Sequence, residues 1–467
     1  MGQRQTAHGP WLIVMALSLC ACEPFHAQNL SIQGLASSRQ CEISKPLIEE
    51  VERPLRFSAV REESSLLRSR FGRIRSEQIL ALAHSGGRNL KLNLFENREV
   101  IVEIDSVDVI SPTNVVVTGM TDGRGRATIV VNDGIVAAHV NEDGESFEIR
   151  SAAGDIHEIA EHDTQVDGVC STDDDTHPSE GPAEHAFMQH KFSAVGDATI
   201  QAESTIDLMV AYTPSALRAA GSVAALEASI QGAVADTETS FKNSRIGHHV
   251  RLVAIVPVNQ DETTSFDQSL TALTSKSDGK WDEIHQLRAK HGADQVTLVV
   301  GSSSGSIAGV GWIGGGEAQA FTVVLFQSIR QYTFAHELGH NLGLNHSDGL
   351  ESAAGRFRTI MAYGTQKRIP YFSNPEITYN GVPTGDATHN EAALANIGAP
   401  RVAAFNTAVY ANAPQPTATP VPTPVATPRS AASPIPTTQP AAAPVPVGVD
   451  PTQQSDETDL VPGFPCP

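Results

Sequence analysis

The chain has 467 residues, of which 40% are hydrophobic and 18% are charged, a composition typical of a globular protein with room for two or more domains. Its formal net charge of -21 disfavours nucleic acid and anionic membrane surfaces as partners, because binding there requires Lys and Arg to neutralise phosphates. Beyond a short apolar stretch near the start, no run of about eighteen apolar residues predicts a membrane-spanning helix.

Residues 1–22 predict a secretory signal. The apolar stretch PWLIVMALSLCAC follows a short segment that carries Arg4 and His8, the order in which such signals place their charged and apolar parts. The sequence LCAC at 19–22 also resembles the bacterial lipobox, whose last cysteine is acylated after cleavage. Ordinary cleavage nearby, after Ala27, is the alternative. In either case we expect export, to a secreted or cell-envelope location, with a membrane anchor at Cys22 if the lipobox is used.

The cysteines predict that disulfides are not the main scaffold. Two of the five lie in the signal, which leaves Cys41, Cys170 and Cys466 for the exported chain. Because three is an odd number, at least one thiol is free, paired between chains or committed to another role.

Residues 23–200 predict a β-rich domain followed by an acidic linker. From Lys91 to Ile159, short runs rich in β-branched residues, such as NVVVTG and NDGIVAAHV, alternate with glycine-containing turns. Runs of this length separated by Asp-Gly pairs are typical of antiparallel hairpins. The next segment, EHDTQVDGVCSTDDDTHPSEGPAEH at 161–185, is acidic and poor in apolar residues, which favours an exposed linker and a domain boundary.

Strand and helix patterns alternate from residue 201 to residue 408. The runs IDLMVAY, VRLVAIVPV, QVTLVVG and FTVVLF are typical of strands. Between the first two, Val223, Leu226, Ile230 and Val234 recur at helical spacing, and WDEIHQLRAKHGAD predicts a shorter helix. This alternation favours an α/β layer arrangement.

Residues 409–467 predict a disordered tail rich in Pro, Ala and Thr. Fifteen of the 28 prolines lie from Pro414 to Pro467. So little apolar surface cannot offset chain entropy, and the composition favours extended, polyproline-like segments. We expect a tail or stalk without a catalytic role.

The stretch HELGHNLGLNH, which begins at His336, predicts a metal site. On a helix, His336 and His340 lie on the same face, one turn apart, so that both imidazoles can reach one ion. Gly343 permits a positive φ that lets the chain reverse and bring His346 back as a third nitrogen ligand. Three histidines with an open fourth position are typical of catalytic zinc, and Glu337 lies beside them as a general base for a zinc-activated water.

This stretch is similar to the extended zinc motif of the metzincin metallopeptidases. The resemblance implies a twisted mixed sheet with an active-site helix, and a tight turn that places a methionine under the zinc, for which TIMAYG supplies Met361. Tyr363 matches the Met-x-Tyr pattern of metzincin branches in which that tyrosine contacts zinc or stabilises the transition state. A tyrosine that only packs in the turn is the alternative.

Within the metzincins, residues 206–405 resemble the reprolysin-like bacterial metallopeptidases, including those that cleave beside aspartate. The segments IDLMVAYTPSA, GVGWIGG, TFAHELGHNLG and RIPYFSNP show the resemblance. The chain departs from the reprolysin pattern in two respects. Ser347 stands directly after the third histidine, with Asp348 only at the next position, and the region from 301 to 331 lacks cysteine.

The resemblance implies a role for the β-rich region, because exported proteases are commonly made with a segment that occupies the cleft until its removal. Cys170 lies in the predicted linker, and in several metzincins a thiolate of this segment fills the fourth zinc position. A disulfide between Cys41 and Cys170 is the alternative.

We therefore expect an exported zinc metalloendopeptidase, made as a zymogen, whose substrates are proteins or peptides. The alternative is a cell-envelope binding protein that keeps zinc in a structural role and has no peptidase activity.

Overall fold

The computed structural model describes residues 46–54, 65–122, 125–163, 165, 169–172, 202–302 and 307–406. The predicted signal, the tail after residue 408, and Cys22, Cys41 and Cys466 lie outside these ranges. All described residues belong to one compact unit, residues 1–413. Within the described ranges, every helix is too short or too polar to cross a membrane.

The predicted β-rich region contains a nine-stranded antiparallel sheet, ordered β1-β2-β9-β8-β7-β6-β5-β4-β3. Its strands are β1 (Ile48–Val51), β2 (Leu66–Ile74), β3 (Asn89–Phe95), β4 (Arg98–Ser111), β5 (Asn114–Thr121), β6 (Gly125–Asn132), β7 (Ile135–Glu142), β8 (Glu145–Ala153) and β9 (Ile156–His162). The predicted Asp-Gly turns join β6 to β7 and β7 to β8. Asp133 and Asp143 adopt φ values of 49° and 50°, the left-handed conformation that a tight hairpin turn requires.

Helix α1 (Ser76–Ser85) packs against this sheet. It contributes Ile79 and Ala83 to a core that also contains Leu92, Ile129 and Phe147. The nine-stranded sheet therefore has its own hydrophobic core, separate from those of the residues that follow.

A six-stranded mixed sheet, ordered β10-β14-β15-β13-β11-β12, forms the centre of the second region. Its strands are β10 (Val169–Cys170), β11 (Thr205–Tyr212), β12 (His249–Pro257), β13 (Gln295–Val300), β14 (Ile307–Gly311) and β15 (Phe321–Leu325). Strands β12, β11, β13 and β15 run parallel, and β14 is antiparallel to β15. Every residue of β13 is buried, as expected for a parallel strand covered on both faces.

Helices cover both faces of this sheet, which confirms the predicted α/β layers. They are α2 (Pro214–Ala220), α3 (Val223–Asn243), α4 (Phe266–Thr274), α5 (Glu283–His291), α6 (Phe334–Asn341) and α7 (Glu391–Val402). One core joins Leu226 and Ile230 of α3 to Leu338 of α6. A second core joins Leu270 of α4 to Ile284 of α5. Only the first position of the predicted stripe on α3, Val223, is exposed.

Five two-residue strands lie in the segment after α6, whose loops complete the site described below. They are β16 (Glu351–Ser352), β17 (Phe357–Arg358), β18 (Lys367–Arg368), β19 (Thr378–Tyr379) and β20 (Val382–Pro383).

The prediction of an exposed linker at 161–185 is wrong for its described residues, except Gln165. Residues 161 and 162 end β9, and Val169 and Cys170 form β10, which runs parallel to β14. Cys170 and Thr172 are buried, with 8% and 3% of their surface exposed. The acidic composition misled the prediction because the strand that pairs with β10 lies more than a hundred residues away in the chain, where a local pattern cannot detect it.

Helix α3 connects the two sheets. Ala228 lies in one buried cluster with Val116, Val130 and Ala137 of the nine-stranded sheet. Asp236 of the same helix accepts hydrogen bonds at 3.1 Å from His139 of β7 and from Arg330. Polar side chains from both regions are thus paired within a buried contact, which satisfies groups that would otherwise be costly to desolvate.

Candidate active site

Helix α6 presents two of the predicted metal ligands. His336 and His340 lie four residues apart, and 1% and 0% of their surfaces are exposed. Leu338, between them, packs into the core shared with α3 and so sets the rotation of the helix. The helix begins directly after the segment Ile329–Thr333, in which the backbone kinks and Tyr332 adopts the left-handed φ of 61°.

The turn after α6 brings back the third predicted ligand. Gly343 has φ = 96°, as predicted for a reversal at this position. His346 then opens a short 3₁₀ turn, in which the backbone N–H of Asn345 donates to Oδ2 of Asp348 at 2.8 Å. Asp348, which stands one position later than the aspartate of the reprolysin pattern, therefore holds the loop that carries His346.

The three imidazoles converge through their Nε2 atoms. Nε2 of His346 lies 3.2 Å from Nε2 of His340 and 3.2 Å from Nε2 of His336. Nδ1 of His336 donates to the carbonyl of Ile360, and Nδ1 of His340 donates to that of Leu344, both at 2.8 Å. In neutral imidazoles this leaves unprotonated Nε2 atoms facing one another, an arrangement that a shared cation would stabilise.

The spacing of these nitrogens fits zinc. Nitrogen ligands about 2.0–2.1 Å from a tetrahedral zinc ion lie about 3.3–3.4 Å apart, close to the separations of the Nε2 atoms. Burial, followed by the repulsion that His340 would exert if both rings were protonated, lowers the pKa of His336 well below its usual value. A histidine that stays neutral is the form that binds a metal ion.

Glu337 is buried next to this cluster, with 0% of its surface exposed. A Cβ atom at Gly309 of β14 would lie 2.4 Å from Oε1 of Glu337, so only glycine at this position leaves room for the carboxyl group. Burial raises the pKa of Glu337 to about 8, against smaller opposite effects from Cys170 and from the positive charge of Arg368. A cation bound at the imidazoles would lower this pKa, because its positive charge favours the ionised carboxylate that a general base requires.

Strand β10 brings Cys170 into the same cluster. Its Sγ atom lies 3.6 Å from Nε2 of His340 and 3.4 Å from Oε2 of Glu337. Among the residues that the structure describes, Cys170, His336, His340 and His346 offer ligand atoms that all lie within 4.8 Å of one another. Cys170 is a free cysteine, and burial, followed by the negative charge of Glu337, raises the pKa of its thiol well above the usual value.

The turn after the third histidine contains Met361 and Tyr363. Met361 is fully buried, and a Cβ atom at Gly339 would lie 2.6 Å from its Sδ atom, so glycine lets this turn approach α6 closely. The ring of Tyr363 stacks on His346, with centroids 4.0 Å apart and planes at 25°. Its hydroxyl donates to the carbonyl of Cys170 at 3.1 Å. The phenol therefore reaches a peptide carbonyl at the site.

Two charged residues near the site were not predicted from the sequence. Glu391, the first residue of α7, is fully buried and accepts the backbone N–H groups of Met361, at 3.2 Å, and of Ser373. Arg368 in β18 is 7% exposed and donates from Nη1 to the carbonyl of Gln331 at 3.3 Å. Neither residue belongs to a recognisable motif, and the contacts of both with Gln331, Met361 and Ser373 arise only through tertiary packing.

An imidazole triad suited to a cation, with two members on a helix beside a mixed sheet and the third on the turn that follows, defines a metallopeptidase of the zinc class. Residues 202–390 match the reprolysin-like metallo-peptidase family M12B. The chain belongs to the reprolysin-like metallopeptidases, as the sequence resemblance implied.

Three relatives, each named peptidyl-Asp metalloendopeptidase, show the similarity. The protein of Xanthomonas campestris is 30% identical over 61% of this chain and 70% of its own length. That of Stenotrophomonas maltophilia is 28% identical over 61% of this chain and 72% of its own length. That of Pseudomonas aeruginosa is 30% identical over 39% of this chain and 37% of its own length. The chain is therefore a metalloendopeptidase, and the zinc-containing binding protein, the alternative left open by the sequence, is not favoured.

Proposed function

We propose that the protein is an exported zinc metalloendopeptidase, made as a zymogen, that hydrolyses peptide bonds in proteins and peptides. The observation that supports this proposal most strongly is the convergence of three imidazole Nε2 atoms, two pairs of them 3.2 Å apart, beside a buried carboxyl group. Residues 1–22 support export, to a secreted form or to a cell-envelope form anchored through a lipid on Cys22.

Each residue of the site has a distinct role in this proposal. His336, His340 and His346 hold zinc through Nε2. When bound, zinc supplies a Lewis acid that polarises the scissile carbonyl and makes a water molecule more acidic. Glu337 accepts the proton of the attacking water and returns it to the leaving amine. Tyr363 donates its hydroxyl to the oxyanion that develops on the carbonyl oxygen.

Substrate is proposed to bind along the edge of the six-stranded sheet. Strand β14 provides this edge, and in the structure β10 pairs with it, Val169 opposite Ile307 and Cys170 opposite Gly309. Main-chain hydrogen bonds along an open strand edge bind extended peptides with little regard to side chains. The name of the relatives, peptidyl-Asp metalloendopeptidase, supports aspartate as the residue beside the cleaved bond.

The zymogen state is proposed to depend on Cys170. Its thiol lies where a fourth zinc ligand would exclude water, and zinc favours thiolate sulfur. The strand that carries it also covers the edge that substrate needs. The alternative disulfide involves Cys41, which lies outside the described residues, and Cys170 is a free thiol in the structure. Removal of the residues up to Cys170 would then open both the metal and the edge strand.

A controlled cleavage tests the proposed function. Between residues 173 and 201 the sequence offers trypsin one site, Lys191. The full chain from residue 23, loaded with zinc, should hydrolyse casein slowly before limited trypsin treatment and rapidly after it. Chelation should abolish the activity, and added zinc should restore it.

The precursor with Lys191→Gln is the matched control, because trypsin cannot cut it there. It should stay latent under the same treatment. A cut, zinc-loaded protein that leaves casein intact would refute the proposed function. If trypsin activates the Lys191→Gln precursor equally, cleavage at Lys191 is not the step that gives substrate access to the site.

A further inference from the structure

Thr172 binds the edge strand β14 through its side chain. Just before it, Ser171 pairs through the main chain, and its N–H group donates to the carbonyl of Gly309 at 3.0 Å. At Gly311 the partner is a hydroxyl group instead. The backbone N–H of Gly311 donates to Oγ1 of Thr172 at 3.0 Å, and the Thr172 hydroxyl donates to the carbonyl of Gly311 at 3.1 Å. One side chain therefore takes both main-chain groups of Gly311, a contact that we call the Thr172 clamp.

The clamp depends on the hydroxyl group of Thr172. A hydroxyl is both a donor and an acceptor, whereas the valine side chain, which has nearly the same shape, is neither. Thr172 is 3% exposed, and Gly311 is buried. A buried N–H or C=O group that loses its partner costs more free energy than an ordinary hydrogen bond contributes. Loss of this hydroxyl should therefore favour local opening of the segment.

The clamp lies beside the reacting groups. A Cβ atom at Gly311 would lie 3.1 Å from the carbonyl oxygen of Glu337 and 3.5 Å from its Oε2 atom. The backbone N–H of Thr172 also donates to Sγ of Cys170 at 3.3 Å. Thr172 thus connects the thiol at the imidazoles to the part of the strand edge that lies next to the general base.

We propose that the Thr172 clamp is a second lock on the precursor, which holds the site closed without any contribution from the metal. The proposal rests on the proposed zymogen function and adds to it a positioning residue. While the clamp is in place, Gly311 cannot pair with the main chain of an extended substrate, and the thiol of Cys170 stays at the imidazoles. Opening of the clamp frees the edge and the thiol together.

The test measures how often the segment opens when zinc is absent. The full chain from residue 23 is stripped of metal by chelation and treated with a maleimide, and modification of the peptide that contains Cys170 is followed by mass spectrometry. A buried thiol reacts only when its segment opens locally, so the rate reports the population of the open form. Thr172→Val should raise this rate at least about tenfold, because two buried main-chain groups lose their partner.

Three variants are the controls for the hydroxyl group. Ser171→Ala removes the neighbouring hydroxyl, which donates to Oδ1 of Asp267 at 3.2 Å in an exposed contact, and should change the rate by no more than about threefold. Thr172→Ser and Thr172→Ala both lack the methyl group and differ only in the hydroxyl. The serine variant should react within about threefold of the wild-type rate, and the alanine variant at least about tenfold faster.

The zinc-loaded precursor gives a second measurement. Cys170→Ser removes the thiol and leaves the clamp in place, so hydrolysis of a peptide by this uncut precursor should stay below that by the trypsin-cut enzyme. The double variant Cys170→Ser, Thr172→Val should hydrolyse the peptide about tenfold faster than Cys170→Ser alone. A double variant no faster than Cys170→Ser would contradict the clamp.

The labelling result does not depend on peptidase activity. If the cut wild-type protein is inactive, the proposed function fails, while the labelling rates still confirm or refute the clamp. If the cut protein is active but Thr172→Val reacts at the wild-type rate, only the clamp is refuted. Should Thr172→Val not fold, equal rates in Thr172→Ser and Thr172→Ala would refute it.

Discussion

The Sγ atom of Cys170 lies 3.6 Å from Nε2 of His340, although the two residues are 170 positions apart in the chain. This contact places a thiol from the N-terminal side of the predicted linker against the candidate metal ligands. Cys170→Ser should therefore give an uncut precursor with proteolytic activity, because a neutral hydroxyl is a far weaker zinc ligand than a thiolate. Hydrolysis of a peptide by the uncut precursor is the measurement.

Cys41→Ser is the control for that substitution. If the two cysteines form a disulfide, both variants should loosen the N-terminal region to the same degree. If Cys170 acts on the metal, only its substitution should activate the precursor. Equal behaviour of the two variants, or latency in both, would leave the bulk of the N-terminal region as the sole barrier to substrate.

Glu337→Ala should retain one zinc ion per chain and lose activity by about 10²–10⁴-fold, because it removes the general base and none of the imidazole ligands. Zinc content by atomic absorption and casein hydrolysis by the cut enzyme are the two measurements. An active variant would contradict the role assigned to this carboxyl group.

His346→Ala should lose zinc as well as activity, because the site would retain only two imidazoles. The comparison with Glu337→Ala is direct, since both substitutions abolish hydrolysis but only one should release the metal. Full zinc retention in His346→Ala would place the third ligand elsewhere.

Glu391 should make the stability of the protein depend on pH. Burial, followed by the negative charge of Asp348, raises the pKa of Glu391 to about 8, against hydrogen bonds from Ser373 and Met361. Since an unfolded glutamate titrates near 4.3, the folded chain holds an extra proton between that pH and about 8. The stabilising contribution of Glu391 to the free energy of unfolding is therefore fully present below pH 4. It is lost as the pH rises to 8, by at most about 1.4 kcal/mol per pH unit.

Glu391→Gln should flatten this decline, because an amide keeps an acceptor for the N–H group of Met361 and does not titrate. Chemical unfolding of the full chain at several pH values between 5 and 8 measures the slope. The control is Glu376→Gln, at a residue whose side chain is 76% exposed. Parallel pH profiles for wild type and Glu391→Gln would show that Glu391 is ionised in the folded protein.

Much of the architecture could be predicted from local patterns. The β-branched runs between Asp-Gly pairs form antiparallel strands, as predicted. They could be predicted because two short-range features specify a hairpin: the alternation of side chains along a strand and the residues of a two-residue turn. The spacing of His336 and His340 likewise predicted their shared helix face, and the left-handed Gly343 was predicted from its position in the motif. The roles predicted for Met361 and Tyr363 came only from the resemblance to metzincins.

The amino-acid sequence by itself thus determined the identity of the three histidines and of Glu337, because one helix and one turn suffice to bring them together. Only the tertiary structure decided what surrounds them. Cys170 joins the cluster through pairing of β10 with β14, Glu391 supports the turn of Met361 from another helix, and Arg368 of a two-residue strand holds the carbonyl of Gln331. Each of these contacts spans a long stretch of chain, and their positions depend on the packing of two separate cores, which no local pattern of side chains encodes.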